Sequence, residues 1–420
     1  MSLQNLKNRI LLIGEGALMK IIYLFWSLVL LLFSCKEDLP DPIVPEPEVA
    51  DRNIIAYIMG QNSLSSFIDD DVREMKRAVE SGALGSNNRL LVYIDDYSAP
   101  RLLRLHRDTS TGKAVCDTIK RYEEQLSVDP AVMQNVFSTV FEKYPADSYG
   151  LVLWSHGEGW LPDFTPKSRW IGTDNGNSGP KMNISELVSV LKQFPMFEFI
   201  FFDACFMESV EVAYELREYT KYMIGSVTET PGTGAPYQLM IAPMCENPCN
   251  IEKMIGDYYT YYSTTASSFE WTYGAAISAI DCSELSSLAQ ETRKVLSSHA
   301  TYLDNPDLSA VQKYGVREVA PNVYAPCYYD LNGFIKSFAT DQEYGEWKQQ
   351  LDKCVPESYR KSTPSCYANK GTLIIDLEQY SGVSTYVMRP GSTYSKYNTY
   401  YKDLSWYTAA GWNQTNWGAE

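Results

Sequence analysis

The chain has 420 residues, 45% of them hydrophobic, enough for one enlarged core or for two domains. Its 36 basic residues stand against 52 acidic ones, a net charge of -16, which argues against nucleic-acid binding and suits the attraction of basic substrates. No internal repeat is present.

In chain order, the segment 19–35 has a basic start at Lys20 and a short apolar core, and reads as a secretory signal too short to span a membrane comfortably. Residues 1–18 add nothing such a signal needs, so Met19 is the expected true start and 1–35 the signal region. Leu32-Phe33-Ser34-Cys35 resembles a bacterial lipobox, with Cys35 lipidated, and Lys36-Glu37-Asp38 resembles the acidic export tag of surface lipoproteins in the Bacteroides group. Residues 36–52, with Pro at 40, 42, 45 and 47, form an extended linker.

From 53 to 245 strands and helices alternate. Asn53–Met59 is a strand, Leu64, Ile68, Val72, Met75 and Val79 repeat as a helical face, and Leu90–Asp95 is a second strand. The run Tyr149–Trp154 is continuously apolar, and so is Phe197–Phe202; each reads as a strand buried on both faces. Between them Ile184, Leu187, Val188 and Leu191 recur at helical spacing behind the capping pair Asn183 and Glu186. A strand, crossover helix and parallel strand place the residues just beyond each strand at one carboxyl edge of the sheet. Those residues are His156 and Cys205.

An unperturbed thiol, with a pKa of about 8.5, is mostly protonated near neutrality, so it needs an imidazole to take its proton. The segment Met207–Glu218 is expected to be a helix whose positive end faces Cys205, with Glu208 and Glu211 as favourable charges in its first turns. The chain has two other histidines: His106 follows a stranded run and His299 ends a helical pattern, so both read as structural or surface residues. A lone cysteine is more often a small core hydrophobe than a nucleophile, and the plain alternative for Asp203 is a carboxylate capping the turn before a helix. The glycines at 157, 159, 172, 176 and 179 lack the Lys-Ser/Thr that a phosphate loop requires.

From 246 to 420 the pattern is mixed. Tyr273–Ile280, Gly371–Asp376 and Gly382–Met388 read as strands, and Leu285, Leu288, Ala289 and Thr292 as the buried face of a helix behind Asp281 and Glu284. Aromatic residues crowd the tail from Tyr394 to Trp417; packing is the expected use, glycan binding the alternative. Besides Cys35 and Cys205 there are seven cysteines, an odd number that leaves at least one free thiol; Cys245 and Cys249 have no second half of a zinc site and suit a local disulfide or two free thiols.

Trp154-Ser155-His156-Gly157 and the stretch 202–217, Phe-Asp-Ala-Cys-Phe-Met-Glu-Ser-Val-Glu-Val-Ala-Tyr-Glu-Leu-Arg, resemble the clostripain-like (C11) cysteine peptidases of the caspase and gingipain clan. The opening segment Ile54–Met75 resembles the family's first strand and helix. The likeness implies a caspase-like α/β/α sandwich with a mostly parallel central sheet over 53–245, and a C-terminal α+β region, 246–420, packed on it. It implies His156 as general acid and base, Cys205 as nucleophile, and the amides of Gly157 and Cys205 as oxyanion donors. It gives Asp203 the floor of a pocket for Arg or Lys, with support from Glu229 or from Thr233, which stands where relatives often carry a second acid. Relatives mature by cleaving themselves after a basic residue, and Lys167, Arg169 and Lys181, in or beside the loop-like stretch Leu161–Gly179, are the candidates.

Some relatives require calcium. Asp69-Asp70-Asp71 and Asp174-Asn175 offer oxygen ligands without EF-hand spacing and are read as surface or capping acids, so no obligatory cofactor or metal is expected. The resulting expectation is a monomeric exported endopeptidase acting on protein or peptide substrates, surface-exposed and held to the outer membrane through a lipid anchor alone. The competing expectation is a catalytically idle lipoprotein that captures protein or glycan ligands.

Overall fold

The computed structural model describes residues 48–162, 169–265, 274–301, 307–320, 323–368 and 373–419. Cys35, Met19 and Lys167 lie outside them. From Glu48 onward the chain forms one compact unit.

The first half runs β1 (Ala50–Met59), α1 (Ile68–Ser81), β2 (Asn88–Asp95), β3 (Arg101–Arg107), β4 (Ala114–Arg121), α2 (Pro130–Lys143), β5 (Ala146–Trp154), β6 (Gly157–Pro162), β7 (Arg169–Thr173) and β8 (Lys181–Asn183). It continues with α3 (Ile184–Leu191), β9 (Phe197–Asp203), α4 (Val210–Leu216), β10 (Thr220–Gly225), α5 (Tyr237–Cys245) and α6 (Ile251–Thr260). Then come β11 (Ala276–Asp281), α7 (Leu285–Ser298), β12 (Lys313–Ala320), β13 (Val323–Asp330), α8 (Leu331–Lys336), α9 (Asp341–Cys354) and β14 (Arg360–Ser362).

Nine strands make the central sheet in the order β14-β11-β10-β9-β5-β1-β2-β3-β4. The five inner ones, β2, β1, β5, β9 and β10, are parallel, and the edges are antiparallel. Alternate residues of β1 feed two separate cores: Ile55, Tyr57 and Met59 join Val136, Phe137, Leu187 and Val212, while Ile54, Ala56 and Ile58 join Met75, Ala78, Met240 and Ile255. Helices α2, α3 and α4 thus cover one face and α1, α5 and α6 the other. This is the three-layer sandwich with a mostly parallel sheet that the sequence pattern predicts.

The chain beyond 245 does not merely lean on this sandwich. β11 and β14 extend the central sheet itself, and the Arg52 guanidinium, almost wholly buried, ties β1 to the residue just past α5 by donating to the Glu246 carbonyl at 2.5 Å. β1 begins at Ala50, inside the expected linker. β12 and β13 form a separate antiparallel hairpin with Ser384–Thr385. Within the stretch expected as a loop, 161–179, residues 161–162 end β6 and 169–173 form β7, while 174–179 carry neither strand nor helix; β6, β7 and β8 pair into a small sheet.

The aromatic tail packs. Trp406, Trp412 and Trp417 are buried, and Tyr401 stands 5.2 Å from the Trp160 ring and 5.8 Å from Trp412. Glu211 anchors this layer from α4, its Oε1 accepting from Thr385 Oγ1 and the Tyr386 amide, each at 2.8 Å. Burial pushes its carboxyl up to about 7. It is therefore not an exposed charge flanking a helix, and neither is Glu208, which precedes α4 and has no solvent exposure. All eight cysteines among the described residues are free thiols, Cys245 and Cys249 included.

Candidate active site

The site is assembled at the carboxyl ends of four adjacent parallel strands. In the β5–β9 register Trp154 faces Asp203, so His156 and Cys205 each lie two residues beyond a matched pair. β1 delivers Ser63, and the segment after β10 delivers Glu229 and Thr230. His156, Gly157, Glu158, Asp203, Cys205, Phe206, Glu229, Thr230 and Gly234 line a single cavity of about 250 Å³.

The histidine turn is locked from β1. Asn62 Nδ2 donates to the Met59 carbonyl at 2.9 Å and to the Thr173 carbonyl at 3.0 Å, while Ser155 Oγ donates to the same Met59 carbonyl at 2.8 Å. Ser63 Oγ stands 2.9 Å from His156 Nε2. Ser63 is a residue that motif reasoning passes over, although its place in the turn after β1 puts it on the same sheet edge.

The cysteine turn is held in a conformation side chains rarely adopt: Phe206 has φ +58°. Its amide donates to the Thr228 carbonyl at 3.0 Å, and its ring stacks on Tyr328 at 4.6 Å with the Arg317 guanidinium 4.2 Å from its centre. Arg317 in turn pairs with Glu158, and Tyr328 Oη donates to the Glu158 carbonyl at 2.9 Å. The β12–β13 hairpin therefore clamps the turn that presents Cys205. Nothing in the local sequence signals this long-range contact.

Cys205 Sγ accepts from the Thr230 amide at 3.3 Å and lies 3.6 Å from Thr230 Oγ1. Burial, with the Glu229 carboxylate next, pushes the thiol up to about 12 against these hydrogen bonds. The resting sulfur is a neutral thiol, and its proton must leave as it attacks. The expected helix dipole contributes less than the sequence suggests. α4 starts at Val210, behind the Ser209 cap, rather than at Met207.

Gly157 packs where only glycine fits, since a Cβ there would fall 2.7 Å from the Cys205 carbonyl. Gly157→Ala is expected to lower peptide hydrolysis by about 100-fold or more, because a misplacement near 1 Å at the reacting centre has that cost. Steady-state rates measured beside the melting temperature check it.

Asp203 is nearly buried, and its Oδ2 accepts from the Ala235 amide and from Tyr237 Oη, each at 2.8 Å. It faces the cavity rather than capping a helix. Burial raises its carboxyl to about 6 against those two hydrogen bonds. Thr233 turns away, its Oγ1 3.1 Å from Tyr262 Oη, whereas Glu229 lines the cavity.

The acids considered for calcium do not converge. Asp69 and Asp70 are exposed, Asp71 is buried, and Asp174 accepts from the Ser127 hydroxyl at 2.7 Å. Among the described residues no group of three or more His, Cys, Asp or Glu is placed to hold a metal. His106 stands 2.9 Å from Asp117 and His299 3.1 Å from Glu343, both away from the cavity.

Asp71 is the unexpected member of that set. Burial first, then the Asp203 charge, raises its carboxyl to about 10. An unfolded Asp titrates near 4, so between about 4 and 10 the folded chain keeps a proton that the unfolded chain releases, and stability declines as pH rises. Asp71→Asn is expected to raise the melting temperature, by more at pH 8 than at pH 5; differential scanning calorimetry at both values checks the sign.

A model of the clostripain family, peptidase C11, matches residues 56–417. The chain belongs to the clostripain family. It is thereby classed with the cysteine peptidases, a class of hydrolases. A secreted C11 cysteine protease from Bacteroides thetaiotaomicron, solved with an irreversible peptide inhibitor, is 38% identical with a TM-score of 0.75, over 86% of this chain and 99% of that one. An inactive zymogen C11 protease from Parabacteroides distasonis is 32% identical with a TM-score of 0.73, over 87% and 99%. Clostripain from Hathewaya histolytica is 25% identical over 190 residues, which are 39% of this chain and 35% of that protein. The match thus spans about a third of that curated relative's length. Among the described residues no helix is long and apolar enough to cross a membrane.

Proposed function

We propose that this member of the clostripain family is an exported endopeptidase that hydrolyses peptide bonds after Arg or Lys, with Cys205 as nucleophile and His156 as general acid and base. The observation that carries it is the convergence of His156, Cys205 and Asp203 on one cavity at a single sheet edge. Sγ attacks the carbonyl carbon as His156 takes the thiol proton, and the oxyanion forms toward the amides of Gly157 and Cys205. His156 then gives the proton to the leaving amine, and the acyl-enzyme remains on Cys205. Water, losing a proton to the same imidazole, releases the acid. Asp203, ionised near neutrality, meets the guanidinium or ammonium of the residue before the cleaved bond. Glu229 at the cavity wall supplies further negative charge.

Self-cleavage between the two catalytic residues belongs to this proposal. Arg169 and Lys181 lie in β7 and β8, whose ladder ties their backbone, so cleavage after either requires that ladder to open; Lys167 lies outside the described residues. Export with lipid attachment at Cys35 and exposure at the outer-membrane surface rests on the amino-terminal sequence. The similar Bacteroides protease is described as secreted. An idle binding protein is the less favoured reading, because it gives no account of a glycine fitted against the Cys205 carbonyl.

Fluorogenic peptides ending in Arg, Lys, Asp or Leu test the proposal, with Cys205→Ala alongside. Cleavage confined to Arg and Lys supports it. Equal cleavage of the Leu peptide, or none after tryptic nicking of the 161–181 segment, contradicts it.

A further inference from the structure

Asp71 is an acid that nothing in the proposed reaction uses. It projects from the first turn of α1, is 1% exposed, and among the described residues neither of its oxygens receives a full hydrogen bond. The Trp154 side chain, itself on the cavity wall, gives partial relief. Its two neighbours in sequence, Asp69 and Asp70, are in water. A buried acid without donors is held in its protonated form unless a cation compensates its charge.

The location points to the compensation. Gly234 lines the cavity beside Asp203, and a Cβ on it would fall 2.6 Å from Asp71 Oδ1 and 2.9 Å from Oδ2. No side chain therefore separates Asp71 from the cavity at that point; the barrier is one glycine backbone with φ +72°. That backbone is pinned by Tyr262 Oη donating to the Gly234 carbonyl, and the Ala235 amide beside it donates to Asp203. The two acids thus both lie against the same short stretch.

We propose that Asp71 is a second specificity-determining carboxylate of the pocket that receives the basic side chain, supplied by α1 through the opening left at Gly234. The inference rests on the reading of Asp203 as the pocket's first acid. With the pocket empty, mutual repulsion and burial keep the pair from ionising together. A guanidinium or ammonium entering beside Gly234 supplies the missing partner for both oxygens of Asp71 as well as for Asp203. Because the second acid comes from α1, the presence of Thr233 in the loop after β10 does not leave the pocket with a single charge. A neutral side chain of the same shape would leave two buried acids uncompensated.

The test compares an Arg peptide with its citrulline counterpart, which keeps the shape and removes the charge, on the wild-type chain, Asp71→Asn and Gly234→Ala. The alanine methyl displaces the Asp71 carboxyl without removing the acid, and serves as an independent second variant. Cys205 alkylation by iodoacetamide reports that each variant retains the site. The expected result is a fall of about tenfold or more in the Arg-to-citrulline ratio of kcat/KM for both variants, carried mainly by KM for the Arg peptide. An unchanged ratio in folded Asp71→Asn, with the wild type discriminating, overturns the role of Asp71 alone. A wild type that does not discriminate Arg from citrulline overturns the basic pocket and this inference with it.

Discussion

Cys205→Ala is expected to lower peptide hydrolysis by about 10⁴-fold or more, the loss typical when a covalent nucleophile is removed and only binding and oxyanion contacts remain. The fold should survive. Cys205 is half-buried and touches Thr230 through two hydrogen bonds that an alanine gives up without leaving a buried charge. The resting sulfur is a neutral thiol, so His156→Ala should be nearly as damaging, because it removes the base that the proposed reaction assigns to the thiol proton. The matching variant Cys245→Ala, at a free thiol outside the cavity, should retain the wild-type rate. Steady-state rates with one Arg peptide, at a protein concentration fixed by absorbance, decide it.

Asp203→Asn is expected to remove most of the preference for basic residues, with kcat/KM for an Arg peptide falling by about 100-fold or more, as when one partner of a desolvated ion pair is removed. The asparagine can still accept from the Ala235 amide and Tyr237 Oη, so the pocket wall keeps its shape. The sign of the pH effect comes from the carboxyl at about 6. Below that value Asp203 is protonated and cannot pair with a cation; above it the charge is present. The Arg-to-citrulline ratio should therefore rise as pH increases through about 6 in the wild type, and that step near 6 should be missing in the variant. Using a ratio cancels the titration of His156 and Cys205, which both substrates share.

The placement of His156 and Cys205 is legible in the sequence because it depends on strand ends. The apolar runs before them are buried on both faces, and a parallel pair joined by one helix brings the two residues to the same edge. The Asn183–Glu186 capping box that fixes the start of that helix is formed. The features hidden from the sequence depend on contacts distant along the chain. Phe206 is strained and held by Arg317 and Tyr328, more than a hundred residues later, and no local pattern announces that β12 and β13 return to the nucleophile. Glu208 and Glu211 look like ordinary helix charges, but both are fully buried, Glu208 against Gly225 of β10 and Glu211 against Thr385 and Tyr386. Asp71 sits in a run of three identical acids, two of them in water, so only the packing of α1 singles it out.

The central claim is that Cys205, among the nine cysteines, is the residue that attacks the substrate. A peptide ending in an arginine acyloxymethyl ketone forms a thioether with the attacking cysteine, and peptide mapping by mass spectrometry locates it. The account predicts one adduct per chain, on Cys205, lost in His156→Ala and blocked by excess Arg substrate. An adduct on another cysteine, or labelling of Cys205 that ignores both His156 and the substrate, would contradict it.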